Sequence, residues 1–250
     1  MLKPVPLPRS PSLESILERA RLLFQDRPVE KEPLLTAFAA GRVTRARALA
    51  VARELHAVVE AFPRFLAAFL ANDLDPALRD IVVDNLNEEQ GRMDPRAVHL
   101  TTYRAFLSAL GHPGRVTAVD PPSVGVRLYI RAMLDLCGRA PVAQGAGALA
   151  VVEDHVARAS LVIAQWVARE VPDLRETHFG VHEVLDVRHA EELYAIAAHC
   201  ADAGGTHDVE LGVAMGTYLH RRLWADVFES VSGEPRHGDV RPAAGTTQKK

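Results

Sequence analysis

The sequence predicts an all-α protein that folds as a single helical bundle. Hydrophobic residues recur at helical spacing, and no stretch shows the sustained alternation with β-branched residues that is typical of strands. With 250 residues, of which 48% are hydrophobic, the chain is long enough to bury one large core. It contains no internal repeat of fixed period. We therefore expect one helical domain at 12–231, between an extended arm at 1–11 and a disordered tail at 232–250.

The first elements are defined by prolines and capping residues. Prolines at positions 4, 6, 8 and 11 forbid a regular helix and predict the extended arm. Ser12 can cap a first helix to about residue 24, and a short apolar segment at 34–38 ends at Gly41. Thr44 is the predicted cap of a long helix to about residue 72, in which Pro63 should introduce a kink.

Two Asp-Pro pairs give the next helix starts. In Asp75-Pro76 and Asp94-Pro95, a capping aspartate comes before a proline that is well suited to the first helical position. The first pair predicts a helix that ends near residue 91, and the second predicts one that ends at residue 111.

The second half of the chain is predicted to hold four more helices. Pro121-Pro122 opens the first of them, and Pro141 separates it from an alanine-rich helix. The third follows Pro172, with Asp173 as its predicted cap. These helices are expected at about 123–137, 142–170, 173–204 and 208–231.

Composition and charge exclude several functional classes. The net charge is only -3, and Lys and Arg are scattered rather than grouped, so the sequence indicates neither nucleic acid nor a membrane surface as a partner. No apolar run approaches the length of a membrane span, and the N-terminus lacks the apolar centre of a signal peptide. Cys137 and Cys200 are too few for a disulfide framework and lie in no zinc-binding spacing. We expect a cytoplasmic protein.

One predicted helix carries a polar triplet on its apolar face. His182, Asp186 and His189 stand at i, i+4 and i+7, so at roughly 100° per residue their side chains fall within about 60° of one another. The same face continues with apolar residues, whereas the charged positions 183, 188, 191 and 192 mostly point elsewhere. Buried Asp and His need partners, which either a hydrogen-bond network or a metal ion can supply. The triplet alone leaves both interpretations open.

Three further polar residues, Glu89, His99 and Glu153, lie on otherwise apolar helix faces. No Lys or Arg shares the local face of Glu153, which leaves a metal or a distant residue as its partner. With the triplet, the inventory is three carboxylates and three imidazoles, which suits non-haem iron or manganese. The predicted helices contain neither the Glu-x-x-His pairs of ferritin-like bundles nor the HExxH pattern of zinc proteases.

Three blocks of the chain resemble the signatures of the haem-oxygenase-like iron oxidases. The blocks are Asn85-Leu86-Asn87-Glu88-Glu89-Gln90-Gly91 with His99 and Phe106 to Gly111; Ala148-Leu149-Ala150 leading to Glu153; and Phe179-x-x-His182-x-x-x-Asp186-x-x-His189-Ala190. Their order and spacing agree over about residues 33–230. The resemblance implies a haem-oxygenase-like bundle.

By this resemblance, the iron ligands are Glu89, His99, Glu153, His182, Asp186 and His189. Glu88 is the nearest competitor of Glu89, but its helix face includes Asp84 and looks more solvated. Members of the family bind two Fe(II) ions and use O₂ to oxidise a small substrate, for example by N-oxygenation of an amine or oxidative C–C cleavage of an amino or fatty acid. The resemblance also implies a homodimer.

Other interpretations remain at this point. The pyrroloquinoline-quinone-synthase and thiaminase-type relatives lack the full ligand set, so the six residues argue against both. The alternatives are a non-catalytic bundle with a vestigial metal, which serves binding, and a metal-free cofactor-processing protein. His178 is predicted either to orient a ligand or to lie in the core or at its rim, and His155 to lie on the surface or between helices. We expect Tyr103, Tyr129, Trp166 and Trp224 to be packing residues.

Overall fold

The computed structural model describes residues 12–25, 28–112, 121–172, 174 and 178–232, which contain nine α-helices and no strand. The helices are α1 (Leu13–Gln25), α2 (Pro33–Ala39), α3 (Arg45–Leu70), α4 (Pro76–Glu89), α5 (His99–Ala109), α6 (Val124–Gly138), α7 (Val142–Glu170), α8 (His178–Cys200) and α9 (Thr206–Val231). The predicted all-α class is confirmed. The predicted arm, the cap at position 173 and nearly all of the predicted tail lie outside the described residues.

Capping side chains set two of the helix starts that the sequence predicts. The Thr44 hydroxyl accepts a hydrogen bond from the backbone N–H of Arg47 at the start of α3. The Asp75 carboxylate accepts one from Ala77 at the start of α4, where Pro76 is the first helical residue. Helix α3 continues through Pro63 as a single element.

The second Asp-Pro pair does not open a helix, so that prediction is wrong. The Asp94 carboxylate instead accepts a hydrogen bond from the backbone N–H of Arg96, 3.0 Å away, and closes a turn over 95–97. Helix α5 begins only at His99. A local side-chain bond to the backbone therefore replaces the predicted cap.

A tight link between α4 and α5 brings the ends of these two helices together. Gly91 has a φ of +74°, and a Cβ at this position would lie 2.6 Å from the backbone nitrogen of Val98. Only glycine permits this approach of the chain to itself. As a result Glu89, the last residue of α4, lies close to His99, the first residue of α5.

Helix α7 is the central helix of the bundle. It packs along α8 and α9, while α3 and α6 pack on each other and on α9. The contact with α9 is close, because a Cβ on Gly147 would come within 2.6 Å of the Val209 carbonyl. Glu153 therefore lies in the middle of a helix that is buried over most of its length. None of the described helices is long and apolar enough to span a bilayer.

Candidate metal centre

The six predicted ligands come together from four helices and form two adjacent groups. We name Glu89, His99 and His182 the first group, and Glu153, Asp186 and His189 the second group. In each group, one potential ligand atom per residue lies within 4.8 Å of the others. All six residues are buried, with exposed fractions between 0 and 7%. The structure thus brings together every site residue that the sequence predicts.

In the first group, the donor atoms converge without bonding one another. Nδ1 of His99 lies 2.8 Å from Oε1 of Glu89, yet neither atom is aligned for a hydrogen bond. Nε2 of His182 also has no hydrogen-bond partner among the described residues. The rings of His99 and His182 lie 4.3 Å apart between centroids. Buried polar atoms normally have partners, so this convergence is the arrangement expected around a cation.

In the second group, one histidine nitrogen lies near both carboxylates. Nδ1 of His189 lies 3.8 Å from Oε1 of Glu153 and 3.9 Å from Oδ1 of Asp186. This Nδ1 has no hydrogen-bond partner among the described residues. The side-chain amide of Asn85 donates to Oε1 of Glu153 over 3.0 Å and so holds the carboxylate in place.

Asp186 joins the two groups. Its carboxylate oxygens lie 2.8 and 2.9 Å from Nδ1 of His182, a residue of the first group. A proton on Nδ1 satisfies this contact and leaves the lone pair of Nε2 available to a metal. Asp186 therefore belongs to the second group and also orients a ring of the first.

The buried carboxylates of the centre require nearby positive charge. Burial, together with repulsion from Asp186, raises the pKa of Glu153 well above its usual range. Burial would also raise the pKa of Glu89, but the neighbouring His99 ring lowers it. Three buried carboxylates this close together are costly unless positive charge compensates them. A divalent ion in each group would supply that charge.

The chemistry of the donor set fits iron. Each group offers carboxylate oxygens and imidazole nitrogens, which are the usual ligands of non-haem iron and related first-row ions. The unpartnered nitrogens of His182 and His189 are free to coordinate a metal. Their identification as iron ligands remains a prediction.

Glu88 contributes to the centre in a way that the sequence did not indicate. Its Oε2 lies 2.6 Å from Nε2 of His189 and also accepts from Arg188, while its Oε1 lies 2.8 Å from Nη2 of Arg92. Burial opposes ionisation of Glu88, but the contacts with His189 and Arg92 hold its pKa well below the usual range. The side chain is 10% exposed, against 3% for Glu89, so Glu88 is the more solvated of the two, as predicted, although it is largely buried. Arg188, predicted to point away from the site, contacts it through Glu88.

Two other histidines and two aromatic residues for which the sequence predicts a position are buried in the structure. His178 lies beside the first group, with its ring 4.1 Å from that of His182, and its Nδ1 is 3.0 Å from the Thr102 hydroxyl. His155 is buried between α7 and α9, which agrees with the interhelical position predicted for it. Tyr103 and Trp166 are buried and donate to the backbone carbonyls of residues 52 and 43, as expected of core residues.

A cavity of about 70 Å³ lies against both groups. Its polar wall is formed by Glu89, Glu153, His178, His182 and Asp186, and its apolar wall by Val58, Val59, Phe62 and Val156. A larger surface cleft of about 690 Å³, along α6, contains none of the six predicted ligands. The small cavity is therefore the space in which a reactant can meet the centre.

Solved structures of known proteins share this fold. A crystal structure of a CADD-like protein of unknown function from Nostoc punctiforme superposes with a TM-score of 0.72 at 15% identity, covering 88% of this chain and 98% of that one. A domain with a haem-oxygenase-like fold from Shewanella denitrificans gives a TM-score of 0.64 at 15% identity, covering 88% and 91%. The protein therefore has a haem-oxygenase-like fold, which confirms the predicted architecture.

The sequence comparisons identify the family. Residues 49–221, more than half of the chain, match the family of iron-containing redox enzymes, and the protein belongs to that family. A 4-aminobenzoate synthase from Chlamydia trachomatis is 24% identical over 193 residues, covering 73% of this chain and 79% of that protein. A protein of the same name from Nitrosomonas europaea is 27% identical over 195 residues, covering 72% and 77%.

Proposed function

We propose that the protein is a non-haem diiron oxidoreductase that uses O₂ to oxidise a small metabolite. The observation that carries the proposal is the pair of adjacent, buried groups of histidine and carboxylate side chains. Membership of the iron-containing redox enzymes supports iron as the metal. The number of irons and the use of O₂ are the parts that we propose.

In this proposal each group would hold one iron, and Asp186, a member of the second group, also contacts His182 of the first. When bound, the two irons supply the electrons that activate O₂ for oxidation of the substrate. Asp186 fixes the tautomer and the orientation of His182 through Nδ1. Asn85 orients the carboxylate of Glu153, and Glu88 fixes the tautomer and the orientation of His189. These contacts hold the ligand atoms in place before the metal binds.

The cavity beside the centre limits the reactant to a small molecule. Its apolar wall, which includes Val58, Phe62 and Val156, disfavours water and charged groups next to the irons. We propose N-oxygenation of an amine or oxidative C–C cleavage as the reaction type. Because similar proteins are named 4-aminobenzoate synthase, a molecule with a single aromatic ring is the first class of product to look for.

The ligand assignment can be tested by counting iron in matched variants. We expect His182→Ala and Glu153→Ala to lower the iron content per chain after anaerobic loading with Fe(II), and to abolish O₂ consumption. His199→Ala and Glu191→Ala are the controls, since both residues are exposed on the same helix as His182. Full iron content and O₂ consumption in His182→Ala would remove His182 from the ligands. Activity that survives chelation would favour a metal-free reaction.

The oligomeric state and the cellular location of the protein also stay predictions. The family resemblance implies a homodimer, which size-exclusion chromatography with light scattering can test. A cytoplasmic location is the expectation from the cysteine content, and Cys137 and Cys200 are both free thiols.

A further inference from the structure

A second cavity lies behind the one at the metal centre. It measures about 80 Å³ and is enclosed by α3, α5, α7, α8 and α9. The two cavities share four lining residues, Val58, Val59, Val156 and His178. The two cavities therefore adjoin at these side chains. A molecule that displaces them slightly would occupy both.

The two volumes indicate the size of such a molecule. An internal apolar cavity of about 150 Å³ is known to hold a benzene ring. Each of the two cavities, at about 70 and about 80 Å³, is close to half of that size. A single ring, or a chain of similar volume, is therefore the largest occupant that fits both without a major rearrangement.

Helix α9 lines the second cavity but not the first, and we call the part of the second cavity beside α9 its far end. Polar groups that the protein leaves unpaired lie there. His220 and Trp224, on α9, line it and are 2% and 4% exposed. Nε1 of Trp224 and both ring nitrogens of His220 have no hydrogen-bond partner within the described part of the chain. The two rings lie 6.0 Å apart between centroids. Unpaired buried donors beside a cavity are unusual, and a bound ligand would satisfy them.

The charge of this end restricts the chemistry further. Burial lowers the pKa of His220 to about 3, so the ring is neutral at pH 7 and offers one donor and one acceptor. Trp224 offers a donor only. The residues that line the second cavity, all of them described, include no Lys, Arg, Asp or Glu. A charged group placed here would be buried without a counter-charge, which is costly.

We propose that the joined cavities bind the substrate, and that the substrate is an apolar molecule of about one ring whose far end carries an uncharged hydrogen-bond acceptor, such as a hydroxyl or carbonyl oxygen. The reacting end lies against Glu89, Glu153 and Asp186, and the far end is held by Trp224 and His220. The assignment of this occupant as the substrate rests on the proposed function. The binding site itself does not depend on it.

Calorimetry with two matched probes tests the far end. The full chain is titrated without O₂ with 4-methylphenol and with toluene, which differ only in the hydroxyl group. We expect 4-methylphenol to bind roughly threefold to tenfold more tightly, the ratio that one or two hydrogen bonds give. In Trp224→Phe, which keeps an aromatic ring but lacks the N–H, this ratio should fall toward one while toluene binds as before. Equal binding of the two probes by the unmodified protein would overturn the far-end assignment.

A second pair of variants tests the cavity itself. Val58→Phe fills the boundary between the two cavities and should reduce binding of both probes at least tenfold. Val83→Phe, at an exposed position of α4, is the control and should bind both normally. Unchanged binding in Val58→Phe, or no binding of either probe by the unmodified protein, would overturn the proposed site. Because the titrations need no O₂, probe binding by a protein that never consumes O₂ would reject the proposed function alone.

Discussion

Nε2 of His189, on α8, lies 2.6 Å from Oε2 of Glu88, the last residue but one of α4. The next residue, Glu89, belongs to the first group, so two consecutive glutamates serve different parts of one centre. A histidine that binds a metal through one nitrogen commonly donates from the other to a carboxylate. The contact with Glu88 therefore leaves Nδ1 as the atom of His189 that faces the second group.

Replacing Glu88 should weaken iron binding although Glu88 is not a predicted ligand. Loss of such an outer partner typically costs roughly 10- to 100-fold in metal affinity or activity. We expect this range for Glu88→Ala in competition with a chelator, and a smaller loss for Glu88→Gln, which keeps an acceptor. Asp84→Ala is the control, because Asp84 bonds to Arg92 and not to His189. An unchanged affinity in Glu88→Ala would show that the contact does not support the centre.

Replacing Glu153 by Gln should change metal binding and stability in opposite directions. Gln avoids the cost of keeping a buried charge, or of taking up a proton, next to Asp186, so the metal-free protein should become more stable by about 1 kcal/mol or more. Loss of a carboxylate ligand should at the same time lower the iron content. Urea unfolding of chelated protein and iron analysis measure the two effects. A metal-free Glu153→Gln protein that is clearly less stable would contradict a site built for cations.

The protein should lose stability as the pH falls below about 6.5, partly because of His220. Its pKa is lowered by burial to about 3, so between pH 6.5 and 3 the unfolded chain takes up a proton that the folded chain does not. The unfolding free energy therefore decreases on acidification, by about 1 kcal/mol per pH unit from this residue. Urea unfolding at pH 7.5 and 5.5 should show a smaller decrease in His220→Phe. An equal decrease would mean that His220 is protonated in the folded protein.

Gly91→Ala should damage the centre through the backbone. A Cβ here would lie 2.6 Å from the nitrogen of Val98 in a backbone with a φ of +74°, so the link that places His99 must shift. We expect a loss of about 1–3 kcal/mol in unfolding free energy and a reduced iron content. Gly111→Ala is the matched control, with a φ of +94° and no atom of the described residues within 4 Å of its Cβ. It should lose about 1 kcal/mol and keep its iron. Equal iron contents in the two variants would contradict this role of the link.

The features that depend on local spacing could be predicted from the sequence. The helix starts at Thr44 and Asp75 follow from capping chemistry, and the shared face of His182, Asp186 and His189 follows from helical periodicity. Spacing alone did not decide between a metal and a hydrogen-bond network. The family resemblance assigned the six residues to iron, and the structure brings them together.

The features that depend on packing could not be predicted. The packing of α4 against α8 decides whether Glu88 faces solvent or His189. The periodicity of a single helix carries no information about that packing. The only sequence feature that pointed to a role for Glu88 was the adjacent acidic pair at 88–89, with Arg92 one turn later. The sequence predicts Trp224 to be a packing residue, because no sequence pattern reveals the cavity beside it. The predicted start of α5 was wrong because the Asp94 side chain closes a turn instead of capping a helix.

The most direct test of the central claim is stopped-flow absorption after mixing anaerobically Fe(II)-loaded protein with O₂, together with iron analysis of the same sample. We predict about two irons per chain, one for each group, and a transient visible band whose formation or decay changes when a suitable substrate is present. A protein that takes up no iron and shows no reaction with O₂ would contradict the account, and the two groups would then be structural or serve a metal-free reaction.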